Sequence, residues 1–235
     1  MNTNKEPQSQ HSARSSRHDK VWHEPAMSKA TRRPSLRSRS SVRGYLVHPR
    51  TGREIVYEST LERDLAYMLI ADSSVRSFQE QPAPVSYIDD AGVRRSHTFD
   101  FQVERIDDSQ HAVAVKPASR AERIERTLEL IRDQSPRHAD RIELRTGDHI
   151  TRRRAYDAKL ITWALRQRDD DEVAVLAGLV ADLRGATTIA TLIASRPNEP
   201  AAFIAVLCLI ADGMLHHAGT DRLTRSSRVE RAARR

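Results

Sequence analysis

Three residues of this 235-residue chain have the types needed to work on a phosphodiester: Glu62, Asp100 and Lys116. Two carboxylates on neighbouring elements can hold a divalent cation, because hard cations take oxygen ligands and Mg2+ completes its shell with water. A lysine beside them can orient or polarise a water that attacks phosphorus. Lys116 stands out on composition. The chain has 39 basic residues but only five lysines, and between residues 43 and 221 only Lys116 and Lys159 are lysine. An ammonium is a compact, adjustable point charge, which arginine's always-charged planar fork is not. Lys116 closes the apolar run "HAVAVKP", residues 111–117, directly before a proline.

Each of the three needs an element to position it. Glu62 lies in "STLERDLAYMLIAD", residues 59–72, where Leu61, Leu65, Met68 and Leu69 follow helical spacing. Ser59 followed three positions later by Glu62 is a capping box, so a helix starts there and Glu62 has a structural role open to it as well. Asp100 sits between Phe99 and Phe101 in "RRSHTFDFQVERI", which reads as one long strand. Buried unpaired carboxylates are rare, so Asp100 needs a partner, and a purely structural ion pair with Lys116 is the plain alternative to catalysis. Residues 111–116 read as a second buried strand after the turn "DDSQ". Opposed residues share a face, so Asp100 and Lys116 meet only if paired positions have an even sum. That predicts an odd-length loop or a bulge near 106–111. His97 and His111 have the wrong parity relative to Asp100 and Lys116.

Around this nucleus, "RGYLVHPRTGREIVYES" reads as a short strand or hairpin, and "VRSFQEQPAPVSYI" as extended chain with Pro82 and Pro84 blocking helix. Ser119 and Glu122 give a second capping-box pattern, opening a helix to about Asp133, and residues 140–146 read as a strand. Strand, helix, strand in that order implies a parallel pair with a crossover helix. From residue 149 the pattern turns helical over 151–167, 172–183, 186–195 and 199–212, and "GMLHHAGTDRLT" reads as a small β-wing. The expected organisation is an α/β unit at 43–148 and a mostly helical unit at 149–222.

Charge separates the ends from the body. Residues 1–42 carry a net +6 and residues 222–235 a net +5, against −4 for 43–221. The expectation is a disordered basic tail at 1–42 and another at 223–235, able to hold a polyanion such as DNA without sequence preference. The single cysteine, Cys208, excludes an internal disulfide and reads as a core thiol. The apolar run 201–211 is too short to cross a bilayer and the N-terminal residues have no apolar signal region, so a cytoplasmic setting with no membrane partner is expected. "RRRAY" (152–156) reads as an exposed helix face, "DDDE" (169–172) as a loop capping the next helix, and "HH" (216–217) has no partners at metal spacing.

The motifs in order give more than their sum. Ser59–Glu62, Glu80–Pro82, Thr98–Phe101 and Ala114–Pro117, followed by "ELRTGDHITRRRAYDAKLITWALR", resemble the N-terminal nuclease domain of TnsA-like proteins over about 43–168. These are endonuclease subunits of heteromeric bacterial transposases. The resemblance implies a restriction-endonuclease-like fold, a mixed sheet flanked by helices, followed by a smaller winged-helix-like unit. It implies Mg2+- or Mn2+-dependent cleavage at transposon ends, with Glu62 and Asp100 as metal ligands and Lys116 beside them. DNA, a strand-transferring transposase subunit and an ATPase regulator are the implied partners. Two positions depart from the family pattern: Phe99 replaces proline, and Ala114 replaces the Glu or Gln two before the lysine. A methyl group cannot coordinate a cation. Gln102 shares Asp100's strand face and is the candidate substitute ligand. The alternative expectation is a nuclease-fold subunit that binds DNA or a partner without cutting.

Overall fold

The computed structural model describes residues 23–31 and 42–233. Most of the tail expected at 1–42 therefore lies outside the described residues. The chain begins with a hairpin, β1 (Gly44–Val47) and β2 (Glu54–Tyr57), which turns through Gly52 at φ 66°. Helix α1 (Thr60–Ala71) follows, with Ser59 as its N-cap. Next come β3 (Val75–Glu80), a second hairpin of β4 (Val85–Ile88) and β5 (Arg94–His97), then β6 (Phe101–Arg105) and β7 (Gln110–Val115). Helix α2 (Ala121–Gln134) crosses to β8 (Arg141–Arg145).

The central sheet has the order β3-β6-β7-β8. Its first two pairings are antiparallel and β7–β8 is parallel, the crossover that strand–helix–strand order requires. Alternation along the strands sends side chains to two different layers. Phe78, Phe101, Val103, Val113 and Val115 join the main core with Leu65 and Leu69 of α1, while Ala112 and Ala114 face Leu128 and Ile131 of α2. This mixed sheet between helices fits a nuclease-like α/β fold.

Residues 94–106 are not one strand. β5 pairs only with β4, the chain leaves extended pairing at 98–100, and β6 starts at Phe101. The reason is local. The N–H of Val115, which a continuing strand would have bound through its backbone, donates instead to the Asp100 carboxylate. Nor does Ser119 open α2: residues 118–120 form a 3-10 turn after Pro117, and the helix is capped at Arg120 with no side-chain hydrogen bond.

The C-terminal unit contains α3 (Arg152–Arg166), α4 (Asp170–Ala181), β9 (Ala186–Thr188), α5 (Ile189–Ile193), α6 (Glu199–Ala211), β10 (Leu215–His217) and β11 (Arg228–Arg231). Residues 186–195 thus divide into a strand and a short helix; Thr187 and Thr188, β-branched and stiff at χ1, suit the strand. Asp169 accepts N–H bonds from Asp171 and Glu172, so "DDDE" caps α4 as expected. Helix α6 is buried along most of its length, with Cys208 fully enclosed. The three strands form an antiparallel sheet ordered β10-β11-β9.

That order corrects the expected C-terminal tail. β11 is the central strand, and Leu223 and Val229 are buried, so residues 223–233 belong to the folded body. Backbone pairing to strands on both sides and the burial of Leu223 and Val229 hold it down. At the other end, residues 23–31 also pack on the body: Ala26 bridges to Arg53, and Thr31 is hydrogen-bonded to the backbone of Gln81. The main core runs without a break from α1 and the sheet through α3, α4 and α6, so no gap in packing marks residue 148. Among the described residues no helix is long and apolar enough to cross a membrane.

Candidate active site

The loop between β6 and β7 decides whether Asp100 and Lys116 can meet. Glu104 opposes Gln110, leaving five residues, 105–109, closed by Arg105 N–H donating to the Ser109 carbonyl at 3.0 Å, with Asp108 at φ 66°. The loop is odd and the register sum even, so Asp100 and Lys116 share a face. The Lys116 ammonium donates to Asp100 Oδ2 at 2.8 Å, and the Val115 N–H donates to the same oxygen at 2.6 Å. Oδ1 makes no hydrogen bond among the described residues. Asp100 is buried and the lysine side chain a quarter exposed, so the ammonium links a buried carboxylate to solvent.

Ser59 and Glu62 bond each other in both directions, and the Glu62 carboxylate reaches back one residue further, to the Glu58 N–H. The Glu62 N–H donates to Ser59 Oγ at 3.1 Å, Ser59 Oγ donates back to Oε1 at 2.9 Å, and Glu58 N–H donates to Oε2 at 2.7 Å. Those bonds fix a carboxyl that is itself buried. Burial, and next the Asp100 charge, push its pKa up to about 7, against the pull of these hydrogen bonds and of Lys116. The helix N-terminus and the two strands therefore bring Glu62, Asp100 and Lys116 into one another's field.

The backbone of Asp100 is held from behind. Gln81, at φ 42°, donates its N–H to the Asp100 carbonyl at 2.9 Å. Preceding it, Glu80 is fully buried and binds Arg53 Nη1 through both carboxylate oxygens, at 2.9 and 2.7 Å, and also the Ser28 hydroxyl. Arg53 Nη2 donates to the Phe78 carbonyl at 2.9 Å. A buried ion pair thus pins the turn that grips Asp100. The sequence marks Glu80–Pro82 as a motif, but nothing in it marks Arg53 as the partner of the glutamate.

Ala114 is fully buried in the apolar cluster beneath α2, and Phe99 belongs to the same cluster. The two departures from the family pattern therefore lie in one packed site: a large side chain at 99 and a small one at 114. His97 lies edge-on to Phe99 at 4.8 Å, and His138 stacks on the same ring at 5.3 Å. His97 has its pKa lowered by burial first and then by Lys116, with Asp100 opposing, so it stands near the site despite its parity. The break at 98–100 frees it from the strand alternation. Gln102, in contrast, opposes Ala112 and Gln79, and no hydrogen bond joins it to Asp100 or Lys116. Lys116, just past the end of β7, lies four residues beyond Ala112, roughly 13 Å along the chain. His111 sits at the far end of β7, and Glu104 pairs with Arg76. Among the described residues no group of three or more His, Cys, Asp or Glu is arranged to hold a metal.

Residues 72–154 match the family model described as TnsA-like endonuclease N terminal. This stretch is a TnsA-like endonuclease N-terminal domain. The matched span of the TnsA-like domain takes in Asp100, Ala114 and Lys116 and ends in the first turn of α3, while Glu62 and its capping box precede it. No curated protein matches the chain.

Proposed function

We propose that this chain is the DNA-cleaving subunit of a heteromeric transposase, with Asp100 and Glu62 holding one Mg2+ or Mn2+ ion and Lys116 beside them. The observation that carries the reading is the convergence of two carboxylates: burial first and the Asp100 charge next raise Glu62, and Asp100 Oδ1 takes no hydrogen bond among the described residues. Such a pair fits Mg2+, which takes one or two carboxylates and fills its remaining positions with water and substrate phosphate. Bound there, the ion would neutralise phosphate oxygens and lower the pKa of a coordinated water. Asp100 Oδ2 holds the Lys116 ammonium in place, leaving its remaining N–H donors for a phosphate oxygen or a water. The buried Glu80–Arg53 pair keeps Asp100 from moving as DNA arrives, and the basic N-terminal segment supplies phosphate contacts without sequence preference.

The C-terminal unit supports a winged-helix-like reading: α4, β9, α5, α6, β10 and β11 run helix, strand, helix, helix, strand, strand. In helix-turn-helix proteins the second helix enters the major groove. Here its counterpart, α6, is buried, which favours a unit that docks a protein, such as the transposase subunit or ATPase regulator, over one that reads bases.

Ala114 favours a second reading, a nuclease-fold subunit that binds DNA or a partner without cutting. The deciding experiment is nicking of supercoiled plasmid in Mg2+ or Mn2+ by wild type, Asp100→Asn and Lys116→Ala. Cutting by wild type that falls at least about a hundredfold in both variants supports the nuclease. Wild type that binds the plasmid but never nicks it moves the conclusion to the second reading, and nicking unchanged in both variants places the activity elsewhere.

A further inference from the structure

A cavity of about 370 Å³ lies between the TnsA-like domain and the C-terminal unit, and none of Glu62, Asp100 or Lys116 lines it. Its floor is apolar, made by Leu65 of α1, Val103 and Val113 of the sheet and Ile161 of α3. The end of β10 and the loop to β11 contribute His217, Gly219 and Leu223 to its lining. That loop is fastened down: Leu223 N–H donates to the buried Asp157 Oδ1 at 2.9 Å, and the Arg222 guanidinium lies 4.8 Å from the Tyr156 ring centre. A site of this size, apolar below and polar at one side, where two units meet, has the form of a small-molecule pocket.

The polar side consists of Arg105, Arg145, Arg153, Arg154, His111 and His149. Three of the guanidiniums meet a carboxylate through one terminal nitrogen: Arg105 with Asp72 at 2.9 Å, Arg153 with Asp157 at 3.2 Å, and Arg145 with Glu143. Arg154 spends one nitrogen on the His149 carbonyl at 2.7 Å. A guanidinium has five N–H groups, so most of these donors remain unused. Two of the three carboxylates in the lining are engaged through both oxygens, and Glu143 meets Arg145 through one. Both oxygens of Asp72 are bonded by Ser74 and Arg105, and both of Asp157 by Leu223 and Arg153. His149 Nδ1 accepts from Thr146 N–H at 3.2 Å, which leaves Nε2 carrying its proton as a further donor. The His111 side chain is nine-tenths buried. Its Nδ1 lies 3.1 Å from Glu143 Oε1, off the line of a hydrogen bond, and has no hydrogen-bond partner.

Unused donors beside an apolar floor call for a ligand with several acceptor oxygens at one end and a flat apolar body at the other. We infer that this cavity binds a phosphorylated small molecule of up to mononucleotide size, its phosphate among the guanidiniums and its body on the apolar floor. Planar guanidinium forks match phosphate oxygens in pairs, which a ring of lysines would not do. The binding is independent of the nuclease reading, since the two sites share no residue. It would join the two units, because α1 and the sheet of one and α3 and the β10–β11 segment of the other all line the cavity.

The test uses the full chain in EDTA, which keeps divalent cations out of the Asp100 site. ADP, inorganic pyrophosphate and a short single-stranded oligonucleotide are titrated calorimetrically and in thermal melts at fixed ionic strength. The expected result is saturable ADP binding that raises the melting temperature, weaker pyrophosphate binding, and at least tenfold loss of ADP affinity in Arg145→Gln/Arg154→Gln. Ala158→Leu, which fills the cavity from α3 and leaves every arginine in the sequence, should also weaken ADP. Absence of saturable binding by ADP and pyrophosphate overturns the inference, as does ADP binding unchanged in both variants. Binding of the oligonucleotide alone also overturns it, by assigning the arginines to DNA backbone.

Discussion

Glu62→Gln keeps an acceptor for the capping box and removes one charge, so it isolates the electrostatics of the site. In the folded protein, burial and Asp100 raise the Glu62 pKa from 4.5 to about 7. A carboxyl raised on folding holds its proton more tightly in the native state. Its contribution to stability is therefore full below about 4.5 and is lost as pH rises through about 7. At roughly 1.36 kcal/mol per pH unit, that window corresponds to about 3 kcal/mol. Urea unfolding in EDTA at pH 4.5, 6 and 8 reads it directly. Wild type should lose about 3 kcal/mol relative to Glu62→Gln across that range. His48, lowered to about 4 by burial and by Arg53 and Arg50, pulls stability the other way in both proteins and cancels in the difference. Adding Mg2+ at pH 8 should return much of the loss to wild type and little to the variant. Equal pH slopes in the two proteins would refute the placement of Glu62 in Asp100's field.

Arg53→Ala leaves Glu80 fully buried without its cation and should cost about 3–5 kcal/mol in chemical denaturation. Ala114→Glu places a carboxylate in a sealed apolar cluster. It should destabilise the chain by more than about 2 kcal/mol in a thermal melt and give no added nicking; a gain in cutting would show that the cluster can open. Truncation after Arg222 removes Leu223, Val229 and the central strand of the C-terminal sheet, and should cost roughly 3–6 kcal/mol. An unchanged melting temperature would restore the view of this segment as a tail.

The elements that position the site were legible where local chemistry sets them. Ser59 and Glu62 announce the start of α1 because the N-cap and the residue that bonds it lie within four positions. Parity alone required an odd β6–β7 loop, since faces alternate with a period of two. The break at 98–100 was not legible, because it arises from a side chain of one strand bonding the backbone of another. For that reason His97, excluded by strand parity, lies beside the site, while Gln102, admitted by it, lies further along β6. Arg53 carries no signal of its own among 34 arginines; only the fold brings it to Glu80. The C-terminal segment was misread because its charge outweighs two buried side chains in composition, whereas burial decides whether it folds.

Phe99 and Ala114 each register in the sequence as a single departure from a motif. Their shared cluster under α2 ties them together, with volume gained at one position and given up at the other. It also leaves the proposed cation site with two carboxylates, so the Asp100–Glu62 pair bears the weight of the proposed chemistry.

The most direct measurement is a crystal of the full chain soaked in Mn2+, with the anomalous map read at the start of β6. One peak is expected at coordination distance, about 2.1 Å, from Asp100 Oδ1 and facing Glu62, and it should vanish in Asp100→Asn. No peak there at saturating Mn2+, or a peak bound to other residues, would contradict the two-carboxylate cation site.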